Sequence, residues 1–383
     1  MRRILVTGGA GFIGTEIVKK LFKNKNDQIT VLDIMSPQIH GNDYEQSYLY
    51  NTIKDKCHFI KGDVCDYEVM YSAVKNADYI IHLAAETGTG QSMYQINNYN
   101  NTNIMGTSNL LQVISSLGKE CEVKKIVLSS SRSVYGEGKY ECPNCGVVYP
   151  KARDRGRMLA KDFALYCATC GERLKLVPTT EDSVCRPSSL YAFTKLSQEM
   201  MLQTMCPALG IDYTIFRFQN VYGVGQSLKN PYTGILSVFS TLMLENKPVN
   251  IFEDGKESRD FINVMDVADA VIKSLDVPES NGEIINLGSG VNTSVIEIAE
   301  ILKKSYESTS EINISGDFRL GDIAHNKADI EKAKNILGFT ANVPLEEGLN
   351  DFCKWVQGEQ RDNSGYEKSL KEMEKAGLLL HAK

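Results

Sequence analysis

The sequence predicts an α/β protein: a doubly wound parallel sheet, a smaller α/β domain after it, and a compact metal-binding insertion within it. Three observations lead there. Short apolar runs alternate with helical patterns from residue 3 onward, and a glycine-rich turn joins the first run to the first helix. Two C-x-x-C-G motifs, Cys142-Pro143-Asn144-Cys145-Gly146 and Cys167-Ala168-Thr169-Cys170-Gly171, interrupt the alternation, with 21 residues between the two pairs. At 383 residues the chain can bury one large core or two ordinary ones. A composition of 42% hydrophobic and 23% charged residues excludes a disordered or fibrous chain. Lys+Arg 42 against Asp+Glu 48 gives a net charge of −6, which disfavours nucleic acid as a partner. No apolar run approaches the roughly 20 residues of a membrane helix. Met1-Arg2-Arg3-Ile4 lacks the apolar segment of a signal peptide. The expected compartment is the cytoplasm, with neither a membrane nor a nucleic acid as partner.

Residues 3–7 read as a buried strand, and Gly8-Gly9-Ala10-Gly11-Phe12-Ile13-Gly14 turns from it into an amphipathic helix over 12–23. Residues 29–33 form a second strand that ends in Asp33, 19 residues past Gly14. Strand, glycine turn, helix, strand and acid in this order are the pattern for a dinucleotide. Gly8, Gly11 and Gly14 let the backbone approach a pyrophosphate at the helix N-terminus, with Phe12 and Ile13 in the same turn. Asp33 accepts hydrogen bonds from ribose hydroxyls and repels a 2′-phosphate, which favours NAD over NADP.

Strands over 57–60, 79–83 and 125–129 follow, separated by helices over 67–75 and 97–117. Ligands sit at the carboxyl ends of such strands. Asp63 and Val64 therefore point to the adenine, and Leu83, Ala84, Ala85, Glu86 and Thr87 leave the fourth strand along the cofactor. The fifth strand runs into Ser129-Ser130-Ser131-Arg132-Ser133, and Tyr191-Ala192-Phe193-Thr194-Lys195 opens a later helix. Tyr191 and Lys195, at i and i+4, share a helix face. A phenol with a pKa of about 10 is a poor base at neutral pH, but an ammonium one turn away and a nicotinamide cation both favour its phenolate. With the Ser131 hydroxyl opposite, the three groups can deprotonate a carbinol as hydride leaves.

In a reducing compartment the ten cysteines are not expected to form a disulfide framework. Cys142, Cys145, Cys167 and Cys170 suit a tetrahedral zinc site, and without a vacant position or a nearby histidine that zinc is structural. Residues 142–175 carry seven Lys or Arg and three acids, so the insertion is locally basic. A solvated loop and a surface facing an anion are both open readings. Anchored beside the catalytic groups, the insertion is a lid, a pocket wall or an oligomer contact.

Thr7 to Gly14, His82-Leu83-Ala84-Ala85, Asn103 before Gly106-Thr107, Ser131 with Tyr191-x-x-x-Lys195, Arg217-x-x-Asn220-Val221-Tyr222-Gly223 and Arg259-Asp260-Phe261 belong together. In combination they resemble the extended short-chain dehydrogenases/reductases that act on nucleotide sugars, over residues 3–357 apart from the insertion. The resemblance implies a Rossmann sheet, NAD as cofactor, a nucleotide-diphosphate sugar as substrate, and a homodimer formed through the helix at 97–117 and the Tyr191 helix. It implies catalytic roles for Ser131, Tyr191 and Lys195, and substrate contacts from Glu86, Thr87, Ser131, Arg132, Asn220, Arg259 and Arg319. Arginine forks suit the diphosphate. Members share oxidation of the sugar at C4, and dehydratases add an Asp-Glu pair directly after the catalytic Ser or Thr. Arg132 and Ser133 occupy those positions, which leaves a 4-epimerase, with a 4-ketoreductase and a dinucleotide sensor as rivals. The zinc insertion, with segments 86–92 and 219–234, is similar to that of dTDP-L-rhamnose 4-epimerases of bacterial surface-polysaccharide (O-antigen) biosynthesis. A UDP-glucose-type hexose is the alternative substrate.

By this reading residues 1–136 and 181–225 form the dinucleotide-binding domain and 137–180 the insertion. Residues 226–357 form mainly the substrate domain, with helices near 234–245, 294–306, 327–337 and 345–356 around a strand at 284–288. The tail, 358–383, is a polar stretch and a short amphipathic helix packed on the body or a neighbouring subunit, with no chemistry of its own.

Overall fold

Seven parallel strands form the centre of the computed structural model, which describes residues 1–228, 234–359 and 364–382. They are β1 (Arg2–Thr7), β2 (Asp27–Asp33), β3 (His58–Lys61), β4 (Tyr79–His82), β5 (Lys125–Ser131), β6 (Asp212–Phe218) and β7 (Glu283–Leu287), in the order β7-β6-β5-β4-β1-β2-β3. Because side chains alternate along a strand, each strand feeds two cores. Ile4, Val6, Val31, Val127, Phe216 and Ile285 bury on one face, and Leu5, Leu32, Ile80, Leu128 and Ile215 on the other. Strand order reverses between β1 and β4, which opens a crevice at their carboxyl ends.

Two predicted elements differ. The run at 284–288 belongs to the main sheet, not to the substrate domain: β7 pairs in parallel with β6, Ile285 lying opposite Phe216. The helix Val264–Ser274 supplies the crossover and packs on the helix Phe12–Leu21, and Ile285 and Leu287 are fully buried in the core on that face. The long helix expected over 97–117 is α-helical over Ile96–Tyr99 and Gly106–Leu117, with a π segment, Asn100–Met105, between them. Such widened turns recur at functional sites, and here Asn103 is turned inward and fully buried.

Beyond the sheet, the strands Asn220–Tyr222, Ser258–Asn263 and Asn292–Ser294 and the helices Ile235–Leu244, Val295–Ser305 and Leu345–Gly358 enclose a separate core of Tyr222, Phe239, Leu302 and Phe352. The insertion is a three-stranded sheet, Gly146–Val148, Tyr140–Cys142 and Lys175–Leu176. Each cysteine pair turns on a glycine with positive φ, +72° at Gly146 and +78° at Gly171, where no neighbour crowds the position. The tail helix Ser364–Lys375 packs on the body, and Leu379–Leu380 adds antiparallel to Phe318–Arg319. Residues 229–233 of the segment compared with the rhamnose epimerases, and 360–363 of the polar stretch, lie outside the described residues.

Candidate active site

The glycine turn is as tight as the pattern requires. Gly8 has φ +69°, and a Cβ there would lie 2.7 Å from the Ala84 nitrogen; a Cβ at Gly14 would lie 2.6 Å from the Gly8 carbonyl oxygen. Asp33 fastens the turn from the end of β2, accepting the Ala10 N–H at 3.0 Å and the Met35 N–H at 2.9 Å. Burial raises its pKa, opposed by those amides and by His40.

After β4, the chain from Leu83 to Thr87 is held in place by Asn103 from the π segment. Its side-chain oxygen accepts the Glu86 N–H at 2.8 Å, and its amide nitrogen donates to the Glu86 carbonyl at 3.1 Å and to Thr194 Oγ1 at 2.9 Å. His82 is structural, its ring nitrogens 2.7 Å from Thr7 Oγ1 and 3.1 Å from Thr107 Oγ1. Burial pushes its pKa down to about 3, so the ring stays neutral.

The carboxyl end of β5 presents Ser131, and the N-terminus of the helix Leu190–Leu209, capped by Ser189, presents Tyr191 and Lys195. Burial raises the Tyr191 pKa, while the Ser131 hydroxyl and the positive charge of Arg132 pull it back. Arg132 thus adds a positive charge that acts on the phenol. Burial lowers Lys195 to about 7, against the pull of Glu199. No described protein group forms a hydrogen bond with Lys195 Nζ, which leaves it available to hydroxyls of a bound ligand.

Arg132 donates to Asn220 Oδ1 at 2.7 Å. Burial and the charge of Arg259 draw its pKa below the ordinary arginine range. Arg259 is steadied by the carbonyls of Ser258, Ala324 and Ile323 at 2.8–2.9 Å, and Arg319 pairs with Asp322 at 2.7 Å beside the Phe252 ring. Arg217 is not part of the site: it pairs with buried Glu199 at 2.7 Å and lies under Tyr135.

One cavity of about 870 Å³ takes in every nucleotide- and sugar-facing residue singled out from the sequence, from Gly8, Gly11, Phe12, Ile13 and Gly14 through Asp33, Asp63 and Val64 to Asn220, Arg259 and Arg319. Leu83, Ala84, Ala85, Glu86, Thr87, Ser131, Arg132, Tyr191 and Lys195 line its middle. Sequence reasoning missed Glu257, whose Oε2 is buried without a partner, and Tyr366 and Met373 of the tail. Glu257 stands two residues before Arg259, the spacing of one strand face, and that signal was available. Nothing local marks Tyr366, and the tail, expected only to pack on the body or a neighbouring subunit, walls the cavity. The insertion behaves in the opposite way: no residue of 142–175 lines the cavity.

The four cysteine Sγ atoms of the insertion lie within 4.8 Å of one another, Cys142 and Cys170 at 3.4 Å. Zn–S bonds of about 2.3 Å require sulfurs about 3.8 Å apart, so the set fits a tetrahedral ion.

A dinucleotide turn, a Ser-Tyr-Lys set at the end of β5 and arginines across the same cavity define a nicotinamide-dependent oxidoreductase acting on a phosphorylated alcohol. Comparison with known proteins narrows this. The profile of the NAD dependent epimerase/dehydratase family matches residues 4–150 and 163–288, and the chain belongs to this family of enzymes. It is 36% identical to a dTDP-L-rhamnose 4-epimerase of Burkholderia thailandensis, covering 94% of this chain and 96% of that one. Among solved structures it resembles a UDP-glucose 4-epimerase of Thermotoga maritima with UDP-glucose, at TM-score 0.74 and 29% identity over 93% of this chain and 99% of that one. It also resembles a UDP-glucuronic acid 4-epimerase of Bacillus cereus in complex with UDP-glucuronic acid and NAD, at TM-score 0.75 and 25% identity with the same coverage.

Proposed function

We propose that this enzyme is a nucleotide-sugar 4-epimerase whose substrate pair is dTDP-L-rhamnose and its C4 epimer, dTDP-6-deoxy-L-talose. The observation that carries the reading is Ser131, Tyr191 and Lys195 in one cavity with the glycine turn, with Arg132 and Ser133 where a dehydratase needs an acid and a base. Bound NAD supplies the acceptor, and then the donor, of the C4 hydride. Gly8, Gly11 and Gly14 leave room for its pyrophosphate, Asp33 takes the adenosine ribose, Asp63 and Val64 border the adenine, and Lys195 takes the other ribose. Tyr191, its phenolate favoured by the Ser131 hydroxyl and the charge of Arg132, removes the O4 proton as the C4 hydrogen departs with its electron pair. It returns the proton once the 4-keto sugar has presented its other face. Arg259 and Arg319 hold the diphosphate, Asn220 and Arg132 the sugar edge, and Glu86 and Thr87 the opposite side.

A UDP-hexose is the second reading, favoured by the two structural relatives. Zinc held by Cys142, Cys145, Cys167 and Cys170 is structural in this account, and the cytoplasm, where these thiols stay reduced, is the proposed compartment. A homodimer through the two expected helices is supported by their exposed apolar residues Ile96, Met105, Phe193 and Met200. Incubation with dTDP-L-rhamnose, UDP-glucose or UDP-glucuronate without added reductant tests the proposal by NMR. dTDP-L-rhamnose equilibrates with its C4 epimer, equilibration of a UDP-sugar alone selects the second reading, and Tyr191→Phe lowers the rate at least about 10³-fold without loss of NAD. No equilibration of any of them, or stoichiometric consumption of reduced cofactor, overturns it.

A further inference from the structure

The insertion avoids the cavity, yet one of its side chains reaches deep into the protein. Arg153, between the two cysteine pairs, has a side chain only 2% exposed. Its guanidinium joins three distant segments. Glu137, just past the Ser131 loop, lies 3.5 Å from Nε. Glu253 receives both terminal nitrogens, one of them at 2.7 Å from Oε1. The Asp322 carbonyl accepts from the same fork at 2.9 Å. Glu137 also accepts the Ala324 N–H at 2.9 Å. The stretch from Asp322 to Ala324 is therefore gripped from the insertion side. On its other side the carbonyls of Ile323 and Ala324 hold Arg259 at the cavity, at 2.8 and 2.9 Å.

We propose that Arg153 is a positioning residue for substrate binding, which sets Arg259 toward the nucleotide sugar by clamping the 322–324 segment to the catalytic loop and to Glu253. The inference rests on the reading above, in which Arg259 meets the substrate diphosphate. Burying an arginine among carboxylates contributes little net stability compared with an apolar packing of equal volume. What it gives is direction: the planar fork fixes Glu253 and the Asp322 carbonyl together, and a lysine cannot. A basic insertion that never touches substrate thereby acts on the substrate half of the cleft and leaves the dinucleotide turn alone.

The test uses purified holoenzyme. Arg153→Met strands two buried carboxylates and is at risk of misfolding. Two further variants keep the test decisive: Arg153→Lys, which retains charge without the fork, and the triple Glu137→Gln/Arg153→Met/Glu253→Gln, which removes all three charges together. Readouts are bound NAD per chain, Kd for dTDP and for UDP by calorimetry, and the KM and kcat of epimerisation. The expected result is a rise of about tenfold or more in Kd and KM, the scale of losing a hydrogen bond to a charged group. Bound NAD and kcat are expected to stay within about twofold of the wild type. Unchanged Kd and KM in a folded variant overturn the inference alone. So do KM, kcat and NAD content failing together, or three variants that do not fold, since both assign Arg153 to general stability. A wild-type enzyme that binds neither dTDP nor UDP overturns the proposed function and this inference with it.

Discussion

Three glycines of the dinucleotide turn are chemically identical, but the structure separates them by what a methyl group would meet. At Gly14 the added Cβ lies 2.6 Å from both the Gly8 carbonyl oxygen and the Gly9 Cα, and backbone atoms cannot swing aside. Overpacking of that kind costs about 1–3 kcal/mol or more. At Gly8 a Cβ meets the Ala84 nitrogen at 2.7 Å, and φ +69° adds about 1–2 kcal/mol for a left-handed alanine. At Gly11 φ is −72°, the nearest atom is the Gly8 oxygen at 3.2 Å, and the methyl projects into the cavity at the helix N-terminus. Loss of an N-cap glycine costs about 0.5–1 kcal/mol there. Gly11→Ala should therefore melt close to the wild type while its NAD affinity falls at least about tenfold, or about 1.4 kcal/mol. Gly8→Ala and Gly14→Ala should lose stability and cofactor together. Nucleotide released from acid-denatured protein, quantified per chain beside a thermal melt, separates the three. A Gly11→Ala enzyme with a full complement of NAD would refute the placement of the pyrophosphate, and one that melts as low as Gly14→Ala would refute the steric ranking.

Two other outcomes follow from charge and metal. Lys195 has its pKa lowered from 10.5 to about 7 by burial, so the folded, cofactor-free protein gives up this proton before the unfolded chain does. Its penalty is complete below pH 7 and recedes between pH 7 and about 10.5, by at most about 1.4 kcal/mol per pH unit. The stability advantage of Lys195→Met over cofactor-free wild type, read from urea melts, should shrink from pH 7 to 9.5; an advantage that does not change with pH would show that the lysine is not desolvated. Mass spectrometry of the native protein should find one zinc per chain, and Cys145→Ser/Cys170→Ser should lose it and melt several degrees lower with NAD content unchanged. Recovery of these four cysteines as disulfides would contradict the site.

How far the sequence reaches depends on the range over which each feature is specified. The glycine turn, the Asp33 terminus, the Tyr191–Lys195 spacing and the cysteine pairs are written within a few residues, and the structure brings each into the expected register. The sequence does not mark β7 as part of the main sheet, because a parallel pair has no hairpin to announce it. Ile285 finds Phe216 only after the helix Val264–Ser274 has carried the chain across. Arg217 sits in a motif shared with nucleotide-sugar enzymes, yet its partner is Glu199 on the Tyr191 helix, a pairing that stiffens the catalytic helix from beneath. Arg132 makes the same point at the chemistry itself. Its identity was enough to remove the acid that dehydration needs. That it also brings positive charge to Tyr191 and reaches Asn220 follows only from β5 and β6 ending side by side, Ser131 opposite Phe218, so that Arg132 and Asn220 leave neighbouring strand ends. A residue expected from the sequence to touch substrate also brings, in three dimensions, a positive charge that favours the phenolate of Tyr191.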